Sequence, residues 1–126
     1  MLRKFNPAGL PAPVAYSQGV EATSFQKIVF VSGQVGVRAD GSVAEGIQDQ
    51  TRTAIANMNT VLADAGMDAS NIAKATIYLT DESLLGDFMA AGGGLLPTPP
   101  PATTLLFVKA LASPALLVEI EAIAVK

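Results

Sequence analysis

The chain has 126 residues, half of them hydrophobic and only 15% charged, with eight basic against eleven acidic side chains and a net charge of −3. That length fits one domain spanning 1–126, and scattered basic residues in an acidic chain disfavour a nucleic-acid partner, which requires a cationic stripe against phosphates. With no histidine and no cysteine, thiolate chemistry, disulfides and the commonest metal ligands are excluded, so no metal or cofactor is expected and catalysis must run on carboxylates, hydroxyls, backbone amides or water.

Residues 1–13, punctuated by Pro7, Pro11 and Pro13, read as an extended arm. Arg3 and Lys4 look like the start of a signal sequence, but Asn6, Pro7 and Pro11 interrupt its apolar region, so a soluble, cytoplasmic chain is expected. Ala15 to Ala22 is a first strand and Lys27 to Val35, rich in β-branched residues, a second, with Thr23 to Gln26 turning between them. Asp40-Gly41 marks a loop turn. From Gly46 to Ala65 the period becomes helical: Ile47, Thr51, Ala54, Ile55, Met58, Val61, Leu62 and Ala65 form one stripe, which Gly66 ends as a C-cap.

Asn71 to Leu79 is a third strand, with Ala73, Ala75, Ile77 and Leu79 on one face. Thr80 to Ser83 opens a second helix, which carries Leu84, Leu85 and Phe88 and dissolves at Gly92-Gly93-Gly94. No charge falls between Phe88 and Val108, yet Pro97 and Pro99 to Pro101 forbid a membrane-spanning helix there. Strands at Ala102 to Leu111 and Leu116 to Val125 end the chain, split by Ala112-Ser113-Pro114.

The order ββαβαββ predicts an α+β domain in which two helices cover one face of a single mixed sheet. So apolar a small domain is expected to bury part of its surface in a symmetric oligomer. If alternation holds, the uncovered face carries Thr103, Leu105, Phe107, Glu119, Glu121 and Ile123, a mixture suited to an oligomer interface that contains a site.

Glu119 and Glu121 project on one side of their strand with Cα atoms roughly 7 Å apart. On an exposed strand they are ordinary solvated carboxylates. Enclosed between subunits, a glutamate is partly desolvated and can hold or accept a proton near neutral pH. Tyr16, near a strand start, reads as a packing residue with its hydroxyl at a rim. Gly33, within Ser32-Gly33-Gln34, marks a bulge or a close backbone approach.

Tyr16-Ser17-Gln18, Ser32-Gly33-Gln34, Gln50-Thr51 with Asn57, Leu62 to Gly66, Asp87-Phe88, Pro101-Ala102 and Val118-Glu119-Ile120-Glu121 together resemble the RidA/YjgF family of imine and enamine deaminases, also labelled endoribonuclease L-PSP. The resemblance implies a chorismate-mutase-like fold and a homotrimer with small-molecule clefts between subunits. It also implies that Glu119 orients the attacking water, that backbone at Ser32 and Gly33 lines the cleft, and that Tyr16 lies over the ligand. Departures cluster at that cleft. Thr103 stands where the family's deaminases carry the arginine that grips the substrate carboxylate, Leu105 replaces a frequent cysteine, and Gly92 replaces an asparagine. Gly93-Gly94-Leu95-Leu96 replaces aromatic residues, and Arg38 is a distant substitute for the missing cation. The expected function is therefore a divergent, metal-independent hydrolase or deaminase whose substrate lacks the carboxylate anchor, with Tyr16, Thr103 and Leu105 shaping specificity. A non-catalytic ligand-binding or interaction module on the same scaffold is the alternative. The ribonuclease label attached to some relatives is disfavoured by the charge and the absence of histidine.

Overall fold

Alternation along Ile72–Leu79 (β4) turns Ala75, Ile77 and Leu79 toward the helices and leaves Lys74, Thr76 and Tyr78 on the opposite side. The same parity in Val118–Val125 (β6) buries Val118, Ile120, Ala122 and Ala124 beneath the helices and leaves Glu119, Glu121 and Ile123 on the uncovered side. These strands pair antiparallel in the middle of a four-stranded sheet. Ile28–Val35 (β3) flanks β6 antiparallel and Ala102–Phe107 (β5) flanks β4 in parallel, giving the order β3-β6-β4-β5. The computed structural model describes residues 1–92 and 97–126.

The long helix Gly46–Asp64 (α1) lays Ile47, Ala54, Ile55, Met58 and Leu62 on the sheet, most of the stripe predicted from its period, while Val61, expected in that stripe, is exposed. Gly66, at φ +71°, ends it in a turn that returns the Met67 amide to the Leu62 carbonyl. The ammonium groups of Lys27 and Lys126 then donate to the carbonyls of Ala65 and Gly66, placing cations at the negative end of the helix dipole. A capped 3-10 turn at Glu82–Leu84 leads into the short helix Leu85–Gly92 (α2), which buries Phe88 and Ala91 beside α1. Among the described residues no helix is long and apolar enough to cross a membrane.

Two expectations change. The N-terminal arm contains a strand, Leu2–Phe5 (β1), paired antiparallel with Gly19–Ala22 (β2) as a separate two-stranded sheet. Gly19 makes room for the Phe5 ring, while Arg3 stacks on that ring and pairs with Glu21. Second, β2, β5 and β6 are shorter than predicted, because Ser17 and Gln18 form loop contacts and the chain turns off the sheet after Phe107. The second helix reaches Gly92, the first residue of the triple glycine where it was predicted to dissolve, and Gly93 and Gly94 lie outside the described residues.

Two amides on α1 fix the loops that flank the sheet. Gln50 is 2% exposed. Its Nε2 donates to the carbonyls of Ala44 and Ala115, and its Oε1 accepts from the Leu117 amide at 2.8 Å. Asn57, seven residues on, donates to the carbonyls of Val35 and Val37 at 3.1 and 2.9 Å. The first pin requires close approach: a Cβ on Gly36 would lie 2.6 Å from the Gln50 Cα, so only glycine fits.

Gln50→Leu leaves two carbonyls and one amide without their partner, at about 1–3 kcal/mol for each buried group that stays unpaired. The expected loss is about 3 kcal/mol or more, read as a lowered urea midpoint at unchanged m-value.

Ser70 and Ser83 donate side-chain hydrogen bonds to Asp68 and Asp81, and with the backbone amides of the same serines they hold both carboxyls below the ordinary 3.8. Because the folded-state values are depressed, this stabilisation is present above the unfolded value and is lost as pH falls through the folded one. The double variant Asp68→Asn/Asp81→Asn keeps a capping acceptor at each site but cannot titrate. Its stability, measured by denaturant titration at several pH values, should fall less than wild type's as pH drops below 3.8.

Candidate functional site

The residues expected to form a site fall into two groups. The first lies on the uncovered face where β3 meets β6. The register between these strands shifts between Val31 and Gln34, so Ser32 and Gly33 form a bulge opposite β6. The bulge brings backbone against Glu119: a Cβ on Gly33 would lie 1.9 Å from Glu119 Oε2 and 2.6 Å from its Cδ. Any side chain at position 33 would displace the carboxylate. The half-buried Glu119 is thus seated beside main chain, with Ser32 exposed next to it.

Glu121, one step along the same face, is occupied differently. The Tyr78 hydroxyl donates to its Oε1 at 2.8 Å. This hydrogen bond, followed by desolvation and the charges of Glu121 and Glu119, raises the Tyr78 pKa above its usual 10.0, so the phenol remains a neutral donor through the physiological range. No comparable hydrogen bond engages Glu119 among the described residues. The two carboxylates therefore part in role: one is tied to a tyrosine and lines a hollow with Lys74 and Thr76, the other lies half-buried against the bulge.

The second group lies at the opposite edge of the sheet. Ser17, 3% exposed, donates its hydroxyl to Pro100 O at 2.6 Å and its amide to Pro101 O at 3.1 Å, extending the sheet by a parallel bridge to Ala102. This tether sets Tyr16 beside β5. There Tyr16, Ile77, Phe88, Met89, Thr103 and Leu105 line a hollow of about 160 Å³. The Thr103 hydroxyl donates to Pro101 O at 3.1 Å.

This placement overturns the expectation that Thr103, Leu105 and Phe107 share a face with Glu119 and Glu121. Parallel pairing sets Thr103 beside Ala75, Leu105 beside Ile77 and Phe107 beside Leu79, all on the helix side. Thr104 and Leu106 take the uncovered side instead, where Lys74 donates to the Thr104 hydroxyl at 2.7 Å. Alternation was the right rule, but the register with β4, which sets its parity, has no signature in the β5 segment. Within one chain, Ser32, Gly33 and Glu119 come together, and so do Tyr16, Thr103 and Leu105, yet the two groups are separated by β4 and by opposite sheet faces.

Arg38 sits in the turn around Asp40-Gly41, where its guanidinium reaches the Ser42 hydroxyl at 3.3 Å and its amide donates to Ser42 O, away from both groups. Gly92 packs against α1, where a Cβ would meet Thr51 and Ile55 in ordinary contact. The segment Gly93-Gly94-Leu95-Leu96 lies outside the described residues. Sequence reasoning missed Tyr78 as the partner of Glu121 and Ser17 as the anchor of Tyr16. The first was readable only from cross-strand register, the second from a polar residue that folding buries.

Comparison with known proteins agrees with this architecture. The endoribonuclease L-PSP family matches residues 8–126. A RutC family protein of Aquifex aeolicus is 38% identical over 82 residues, covering 64% of this chain and 63% of that protein, so the match spans less than two thirds of the relative. A protein of Escherichia coli, provisionally named reactive intermediate deaminase TdcF, is 33% identical over 78 residues, covering 61% of this chain and 58% of its own. The crystal structure of YyfB from Yersinia pestis, a Rid-family protein of unknown function, superposes with a TM-score of 0.85 at 29% identity over 99% of this chain and 98% of that one. From the family match over nearly its whole length and the shared fold, the chain belongs to the RidA/YjgF family, described as endoribonuclease L-PSP.

Proposed function

We propose that the chain binds a small molecule in clefts between identical subunits and hydrolyses an imine or enamine that lacks the usual carboxylate contact. The carrying observation is the seat of Glu119 against Gly33, which leaves a carboxylate beside bare backbone on an uncovered face. In this reading the Gly33 half of one subunit meets the Tyr16–Thr103–Leu105 half of the next, joining the two groups that one chain keeps apart. The uncovered face supports such an assembly: Phe30 is 74% exposed on it, and Ile28, Leu106 and Ile123 lie there too. Side chains this apolar are expected to be covered by another copy in a closed ring, and a homotrimer is the ring proposed.

Glu119 would orient a water and take its proton as the oxygen bonds to the imine carbon. The π electrons of the C=N bond move to nitrogen, which is protonated. The resulting carbinolamine collapses with cleavage of the C–N bond, releasing ammonia and the carbonyl product. An enamine joins the same route after protonation at its carbon. A binding module without turnover is favoured by one observation only, the Thr103 hydroxyl already engaged by Pro101.

Light scattering should give the mass of a homotrimer at micromolar concentration. Phe30→Glu, which places a charge on the proposed interface, should shift the species toward monomer while the circular dichroism of the fold persists. A monomeric wild type would remove the shared cleft.

For chemistry, the imine should be generated in situ from a primary amine by an amine oxidase, with its disappearance followed in the presence of a trapping nucleophile. Glu119→Gln should lower kcat about 100-fold or more, the scale of a lost general base. Glu121→Gln should change it less than about tenfold, because that carboxylate serves Tyr78. The reverse order would assign the reaction to the other glutamate.

A further inference from the structure

We infer that the hollow beside β5 receives an uncharged apolar group of about the size of a benzene ring, which makes the substrate an aryl or bulky alkyl imine without an ionised carboxylate. The inference rests on the proposed cleft in one respect, that this hollow holds part of the substrate.

Size comes first. The hollow measures about 160 Å³, close to the ~150 Å³ apolar cavity that takes up benzene in an engineered protein. Chemistry comes second. Ile77, Phe88, Met89 and Leu105 supply its walls, and among the described residues no lining side chain carries a charge. Met89, 42% exposed at the mouth, offers an adaptable thioether of the kind that packs favourably on aromatic edges.

The polar inventory is short. Thr103 directs its hydroxyl hydrogen to Pro101 O, so it has none to offer an incoming oxyanion. Lys4 reaches the same proline run but donates its ammonium to the Pro99 carbonyl. Tyr16, 40% exposed at the rim, can supply a single neutral donor, enough for one nitrogen or oxygen on an otherwise apolar ligand. An ionised carboxylate entering this hollow would lose its water without gaining a cation or a forked donor, and burying an unpaired charge is strongly unfavourable. An aromatic or branched apolar group loses nothing comparable and fills the space.

The test uses benzamide and benzoate, which match in shape and differ in charge. Each is titrated into the wild-type protein by calorimetry, with the Met89 methyl and ring-proton Overhauser contacts followed by NMR. Benzamide should bind at least about tenfold more tightly than benzoate, the scale of a carboxylate desolvated without a partner. Its ring should contact the Met89 and Leu105 methyls. Met89→Trp should fill the hollow and abolish benzamide binding, and Thr103→Arg should invert the preference toward benzoate.

Equal or tighter binding of benzoate to wild type, ring contacts elsewhere on the surface, or no benzamide binding up to its solubility limit would each overturn the inference. The wild-type contacts decide the matter even if a variant fails to fold. Failure here and failure of the hydrolase reading are distinguishable. Benzamide bound as described, with no acceleration of any imine, removes the reaction and keeps the pocket. Glu119-dependent turnover of uncharged imines, with benzamide contacts elsewhere on the surface, keeps the reaction and removes the pocket.

Discussion

The amide of Gln50 is the constraint from which the geometry of the uncovered face follows. It is a buried polar side chain whose three hydrogen bonds run to two separate loops, one before α1 and one before β6. A buried amide is tolerated only when its bonding capacity is met, so the helix can sit at one height over the sheet and no other. Gly36 accepts the contact because it has no Cβ. With Gly36 packed on Gln50 and the Val35 carbonyl held by Asn57, the end of β3 is fixed, and the extra residue in the β3–β6 register lies upstream, at Ser32 and Gly33. The bulge in turn gives Glu119 its seat against backbone. A helix-to-loop hydrogen-bond network thus fixes the position of a carboxylate on the far side of the sheet.

The sheet also divides labour. Its uncovered face carries ionisable and hydroxyl groups, namely Glu119, Glu121, Tyr78 and Lys74, whereas the edge beneath α2 carries an apolar hollow. In the proposed reading, proton handling and ligand selection reside on separate surfaces of one subunit, and an assembly that joins them could change either alone. In the proposed reading Thr103 illustrates this. A change there alters what the hollow can hold without touching the glutamate, two strands away, or the bulge, three strands away.

Much of this was legible in the chain. The helical stripe of α1, the alternation in β4 and β6, and the special status of Gly33 depend on local periodicity or on a missing side chain, and they could be read directly. The parity of β5 could not, because Thr103 and Thr104 are chemically alike and only the pairing with β4 decides which of them turns inward. The β1–β2 hairpin was hidden because Leu2 to Phe5 is short and precedes a proline-punctuated loop, and its partner lies fourteen residues beyond it at Gly19. Gln50 looked like part of a helix signature, while its work as a double pin depends on loops distant in sequence. What the sequence concealed was long-range register.

The central position of β6 carries a consequence for how the molecule comes into being. Its residues, 118–125, supply the ladder partner of β3, about ninety positions earlier, and one of the two partners of β4. During synthesis, β3 waits without its sheet neighbour until this distant segment leaves the ribosome, and the apolar side of α1 waits with it. Such non-local closure slows folding and lengthens the exposure of unpaired strand edges. Val-Glu-Ile-Glu then acts as the keystone of assembly, and the carboxylate proposed for chemistry arrives in the same step that completes the sheet.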